Sequence, residues 1–328
     1  MAISSFAQTV WQLVLSQGIM YGVGGILLYI PGIFYLDEWF IRRKGFAYGL
    51  MWAGTGTGGV LVPLVLNLAL DRFGLRTVLR AWAVLFAVIA VPLIAILKPR
   101  LPLPRHSGPR PIDSSFLRSP TFWILLGGNI FESFGYFVPA IYIPSYARAL
   151  GLNALTGSIM VSLINFASSI GAITVGILVD RLQVTTVILI SSLGTAAAVF
   201  LCWGLAVSLP ALCVFTLLYG LFAGGYSVTW SACVKDVQSD IRDQGREGDS
   251  GGSADLGIVM GLMAAGRGVG SVCSGPLSEL LLSSMPWQGE AAKGYGTGYG
   301  ALIVFTGASA LLGGMSCVSR VPKMLKSD

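Results

Sequence analysis

Two charges stand where a charge is costly. Arg267 lies about 12 residues into one otherwise uncharged run and Glu132 about 13 into another, so along a helix each is roughly 18–20 Å from the end expected to face the cytoplasm. In hydrocarbon each would cost about 2.5–3.5 kcal/mol on insertion scales, so each needs a partner or a watery cavity. A guanidinium there attracts an anionic or strongly polar ligand. A carboxylate there serves as its resting counter-ion and is a candidate for exchanging a proton. Whether Glu132 titrates is open from residue types alone, because burial and a neighbouring guanidinium act in opposite directions. A permanent pair pinning two helices is the other reading. Asn129 and Tyr136 share a helical face with Glu132, and Ser162, Asn165 and Ser169 form a second polar stripe. Trp52, Tyr226 and Trp230 are candidates to bound the cavity, although aromatics in apolar helices also pack or sit at interfaces.

Other motifs fail on context. Gly54-x-Gly56-x-x-Gly59 has dinucleotide spacing but lies inside an apolar run, without the strand-to-helix turn that aims N–H groups at a pyrophosphate. No Walker-type Gly-Lys-Ser/Thr occurs, so ATP hydrolysis is not expected as an energy source. The one histidine, His106, sits in a polar connection, and Cys202, Cys213, Cys233, Cys273 and Cys317 are scattered singly. These give neither metal spacing nor a nucleophile with its base. The expectation is a non-enzyme with no metal and no cofactor.

The elements that must position these side chains follow from composition. Of 328 residues, 54% are hydrophobic and only 11% charged, and the mean hydropathy is +0.76. The charges cluster between uncharged runs that match the ~20 residues a helix needs to cross a bilayer. A soluble enzyme, a nucleic-acid-binding domain and a disulfide scaffold are excluded, and the net charge of +6 reads as basic residues flanking membrane spans. Nine spans are expected, near 9–35, 45–70, 76–97, 119–146, 156–179, 184–206, 210–234, 255–283 and 298–320. Alternate loops hold 15 and 5 of the 21 Lys and Arg residues, with Arg267 inside a span, which places the C-terminus in the cytoplasm and the N-terminus opposite. No Lys or Arg precedes Arg42, so a signal peptide with a basic n-region is not expected. Glycine is abundant, 43 residues, mostly within the spans. Gly54 with Gly58, and Gly266 with Gly270, have the spacing that lets membrane helices touch, and all four are expected to pack against a neighbouring helix.

An internal repeat sets the architecture. Gly49–Val60 and Gly261–Val272 are identical at eight of twelve positions, each followed by a proline, Pro63 and Pro276. Tyr21-Gly22 with Gly24-Gly25 echoes Tyr219-Gly220 with Gly224-Gly225. Spans one and two thus pair with spans seven and eight, a repeat of six helices. Two parallel six-helix repeats are the plan of the major facilitator fold. The expected fold is all-α and polytopic, with nine of the twelve helices of that plan, the first repeat lacking its opening three. The expected domains are 1–97, a cytoplasmic linker over 98–118, and a complete second repeat over 119–328.

The residues also resemble a family. Trp39–Gly49, leading into the Gly54–Gly59 cluster, resembles the fourth-loop and fifth-helix signature of monocarboxylate-transporter-like major facilitators. Gly176-x-x-x-Asp180-Arg181 is similar to the superfamily's cytoplasmic loop motif, and Tyr219–Trp230 with Arg267–Gly270 resembles the fungal-type branch. The resemblance covers essentially the whole chain. It implies secondary transport of a small organic anion by alternating access, with a proton as candidate coupling ion, and a gating role for Gly176, Asp180 and Arg181. Two departures stand out. The family's first-helix motif has no counterpart, and the eighth-helix Asp/Arg pair of lactate carriers is replaced by Asn165, Ser168 and Ser169. A transport-inactive fragment and a receptor-like membrane protein are the alternatives. The expected partners are the bilayer and a small-molecule substrate, with no nucleic acid, and the expected location is the plasma membrane. Pro139 and Pro144 should bend the fourth span, and residues 235–254 should form a disordered loop.

Overall fold

The computed structural model describes residues 2–100, 114–243, 256–284 and 287–315, and every regular element among them is helical. The chain divides into two units, one of Met1–Lys44 with Leu61–Arg110 and one of Gly45–Val60 with Pro111–Asp328.

The first unit holds α1 (Val10–Trp39) and, from Leu61 onward, most of α2 (Lys44–Ile96). Helix α1 opens on a capping box. Thr9 Oγ1 accepts from the Gln12 N–H, and the Gln12 side chain accepts from the Thr9 N–H. Helix α2 is broken at Gly74, whose φ of 71° a residue without Cβ adopts freely. The expected loop between spans 45–70 and 76–97 is thus one glycine. Val84, Val88, Val91 and Ile96 turn outward, as suits helices whose surroundings are hydrocarbon. Where α1 and α2 end, Trp39 Nε1–H donates to the Lys98 carbonyl, and the Arg100 N–H donates to the Glu38 carboxylate.

The second unit holds the first turns of α2 and then α3 (Pro120–Tyr136), α4 (Val138–Ala149), α5 (Ala154–Val179), α6 (Val184–Trp203), α7 (Leu209–Ala223), α8 (Trp230–Asp243), α9 (Leu256–Ser284) and α10 (Gly300–Gly313). Local chemistry sets several starts. Ser119 caps α3 with Pro120 at its first position, and Asn153 caps α5. The core lies around Trp203, which stacks on Phe215 and meets Tyr146 edge-on. Val138, Ile143, Leu212 and Leu302 complete it.

Two helices are interrupted. Pro139 has no N–H for the Gly135 carbonyl, and the chain breaks at Phe137 between α3 and α4. Tyr219 Oη–H donates to the neighbouring Tyr136 carbonyl at 2.7 Å, which keeps the break satisfied inside the unit. The expected span 210–234 is also discontinuous. Helix α7 ends before Gly224-Gly225, a 3-10 turn follows over Tyr226–Thr229, and α8 begins at Trp230.

The expected disordered loop at 235–254 is corrected over its first nine residues, which continue α8 to Asp243. Charge counting missed an apolar stripe: Val234, Val237 and Ile241 recur at helical spacing and are buried. Residues 244–254 of that loop lie outside the described residues, as do 101–113 of the linker, with His106, residue 255 at the start of the eighth expected span, and 316–320 of the last span, with Cys317. Among the described residues seven helices are long and apolar enough to cross a membrane, and Gly300–Gly313 is a shorter apolar one.

Candidate functional site

Glu132 on α3 and Arg267 on α9 meet. Arg267 Nη1–H donates to Glu132 Oε2 at 3.1 Å, with the side chains 12% and 7% exposed. The helices come this close because two glycines face α3. A Cβ at Gly270 would stand 2.6 Å from Ser133 Cβ, and one at Gly266 would stand 2.8 Å from Leu126. Gly313 of α10 similarly admits the stem of Glu132, since a Cβ there would fall 2.7 Å from Glu132 Cβ. One turn beyond Glu132, Tyr136 lays its ring 4.0 Å from Arg267 Cζ. The guanidinium is therefore held by a carboxylate and an aromatic face together. Removing one partner of so buried a pair leaves an uncompensated charge, at a cost of about 3–5 kcal/mol.

One turn toward the other end of α3, Asn129 joins three helices. Its Nδ2–H donates to the Met263 carbonyl of α9 at 2.7 Å, and its Oδ1 accepts from Trp230 Nε1–H of α8 at 3.0 Å. Trp52 packs edge-on against Trp230, ring centres 5.9 Å apart. Met263 is four residues before Arg267, so this relay fixes the register that points Arg267 at Glu132.

Asn165 and Ser169 are placed elsewhere. Asn165 Nδ2–H donates to the Val161 carbonyl, and Ser169 Oγ–H bridges to the Asn165 and Ala53 carbonyls. Both lie beneath Gly56 of α2, where an added Cβ would stand 2.8 Å from the Asn165 carbonyl oxygen. They join α5 to α2 and make no hydrogen bond to the ion pair among the described residues.

The expected packing roles of Gly54 and Gly58 are both corrected. A Cβ built on Gly54 would meet no described atom within 4 Å. Contrary to the expectation, Gly58 is not a packing residue either, because a Cβ built on Gly58 would also meet no described atom within 4 Å. The physical reason is rotation about the helix axis. The face of α2 laid on α5 carries Gly45, Gly49 and Gly56, and Gly54 and Gly58 point away from it.

Asp180, at the end of α5, reaches the start of α2. Its Oδ1 accepts from the Gly45 N–H at 2.8 Å and its Oδ2 from the Phe46 N–H at 2.9 Å. Helix α2 has no side-chain cap of its own, and Arg43 before it is left-handed at φ 56°. A carboxylate from another helix thus satisfies two orphan donors at the positive end of the helix dipole. The contact needs glycine on both sides, since a Cβ on Gly176 or on Gly45 would run into the other's carbonyl. Arg181 is exposed.

Buried charge, aromatic walls and interrupted apolar helices suit the reversible holding of an ion. A model of the Major Facilitator Superfamily matches residues 1–240 and 127–315. The chain belongs to that superfamily. It is 29% identical over 290 residues to an MFS-type transporter of Aspergillus niger, covering 88% of this chain and 64% of the relative. It is 26% identical over 318 residues to an MFS transporter of Aspergillus flavus, covering 96% and 66%. The agnestins efflux protein of Paecilomyces divaricatus is 28% identical over 313 residues, covering 94% and 65%. The chain thus spans just under two thirds of the length of these superfamily relatives. Among the described residues no group of three or more His, Cys, Asp or Glu could hold a metal.

Sequence reasoning missed the roles of Tyr219 and the Asn129–Trp230 bond, and gave Tyr226 only as a wall. Tyr226 Oη–H donates to the Gly313 carbonyl at the end of α10. The signals were present in Pro139 and in Gly224-Gly225, which free carbonyls and interrupt helices, but no pattern names the hydroxyl that answers them.

Proposed function

We propose that this chain serves a secondary transporter that moves a small organic anion or acidic metabolite across a membrane by alternating access. The observation that carries this reading is the buried Arg267–Glu132 pair capped by Tyr136. An incoming carboxylate or enolate takes Arg267 from Glu132, since a guanidinium binds such oxygens in a two-pronged fashion. Charge balance in the low-dielectric interior then calls for a proton on the released Glu132. Anion and proton occupy the site together, which is how a monocarboxylate-like carrier would couple them. Tyr136, Trp52 and Trp230 favour a flat, unsaturated solute. The agnestins and fujikurins efflux proteins among its relatives support export as the direction of transport, here assigned to the plasma membrane. Asp180 closes the end of the bundle where α5 meets α2, and its release accompanies opening.

Flux of radiolabelled aromatic acids into vesicles, with and without a pH gradient, tests this for the wild type, Arg267→Ala, Glu132→Gln and the double variant. The expectation is loss of flux in Arg267→Ala and flux indifferent to the pH gradient in Glu132→Gln. Undiminished, gradient-sensitive flux in all folded variants would remove both residues from the mechanism.

A further inference from the structure

Helix α9 carries five serines, and they divide into two kinds. Ser271, Ser283 and Ser284 each donate to a carbonyl three or four residues back, the ordinary way a serine satisfies itself in an apolar helix. Ser274 and Ser278 do not. They are 2% and 1% exposed, and neither hydroxyl has a hydrogen-bond partner among the described residues. Steps of seven and eleven residues from Arg267 return to the same side of a helix, so both lie on the face that presents Arg267 to Glu132. They follow Arg267 by about 10 and 16 Å along α9, toward its Ser284 end. The residues on either side of the pair are of the opposite kind: Val272 is 76% exposed and Leu280 is 67% exposed. Pro276 stands between the two serines and removes one hydrogen bond of the helix, loosening it there.

A hydroxyl that can bond its own helix and instead stays unspent in a sealed interior is placed for a partner that is absent from this conformation. We propose that Ser274 and Ser278 are the polar lining of a water-filled passage between the Arg267–Glu132 pair and the Ser284 end of α9, sealed in the conformation described and hydrated when that end opens. Leu281 and Leu282, packed against the core cluster around Trp203, are the apolar plug at its mouth. The inference rests on the alternating-access reading, because it needs a second conformation in which this face meets water.

Single cysteines at 274 and 278, in the full chain with its native cysteines replaced, report this through labelling by a membrane-impermeant methanethiosulfonate. Val272→Cys gives the lipid-facing reference and Gln288→Cys the solvent-exposed one. The cysteine thiolate attacks the reagent's sulfenyl sulfur and displaces methanesulfinate, and the thiolate exists in water but is suppressed in hydrocarbon, so the expected rate at 274 or 278 is at least about tenfold above that at 272. Either serine variant that folds is sufficient. Labelling no faster than at Val272→Cys, in every variant that folds, overturns the proposal. The readout does not involve flux. A chain that labels but carries no solute removes the transport assignment alone, and one that carries solute with both positions sealed removes the passage alone.

Discussion

Asp180→Asn isolates the joint between α5 and α2. In the wild type both carboxylate oxygens accept, one from Gly45 N–H and one from Phe46 N–H, at 2.8 and 2.9 Å. Asparagine keeps one acceptor and turns the other into an NH2 that faces a second donor, while the charge at the helix N-terminus disappears. A charge-assisted hydrogen bond is worth about 1.5–3 kcal/mol, and a charge near a helix end about 0.3–1 kcal/mol. Asp180 is exposed. Solvent screening therefore brings the net loss to about 1–2 kcal/mol. That is a factor of roughly 5–30 in the local opening equilibrium. Hydrogen–deuterium exchange read by mass spectrometry on a peptide covering residues 43–48 should accelerate by that factor at Gly45 and Phe46. The amides one turn deeper in α2, bonded within the helix, should keep their wild-type rates. Unchanged exchange at both first-turn amides would refute the cap, and with it any account in which this carboxylate holds the two helices together.

Three further outcomes follow from the packing and hydrogen bonding. Gly54→Ala and Gly58→Ala should each be neutral or stabilising, by up to about 0.5–1 kcal/mol, since the added Cβ meets nothing and alanine is the better helix former. Gly56→Ala should cost about 1–3 kcal/mol by forcing α2 off Asn165 and Ser169, and the order of thermal midpoints in detergent checks all three. Tyr219→Phe should leave the Tyr136 carbonyl unpaired beside the break between α3 and α4, costing about 1–3 kcal/mol and lowering the midpoint without removing packing area.

The membrane class, most of the spans and the ion pair were legible in the sequence because each rests on a transfer cost. An uncharged run of 20 residues has few other homes, and two opposite charges buried alone have few other partners. The glycine surfaces were not legible. Gly54 and Gly58 occupy the same places as Gly266 and Gly270 in a motif repeated at eight of twelve positions. The second pair seats α3, whereas neither Gly54 nor Gly58 faces a described atom within 4 Å. Spacing shows that a face is smooth, while its neighbour is set by the tertiary arrangement. The extension of α8 to Asp243 was hidden for a related reason. Counting charges over 235–254 averages away a stripe of three aliphatic residues, and the stripe decides whether a helix can dock. Asn165 and Ser169 had the composition of a cavity wall, but a polar side chain in an apolar helix is as well served by carbonyls nearby, and theirs are at Val161 and Ala53.

The position of the helix breaks bears on how a buried ion pair could work without being a permanent staple. Glu132 precedes the interruption at Phe137, while Val138, Ile143 and Tyr146 follow it and belong to the cluster around Trp203 and Phe215. Helix α3 is tied to α9 by Asn129 as well as by the pair, and α4 is tied to the cluster. Movement of α4 with that cluster would therefore bend the chain at Phe137 and leave Glu132 on Arg267. In a straight helix the same movement would drag the carboxylate from its partner and impose the full cost of a stranded charge. The break separates the two events. On the proposed alternating-access reading, opening one end of the bundle would bend a hinge whose carbonyl is already answered by Tyr219, and parting the pair would be left to a ligand that can replace what Arg267 loses.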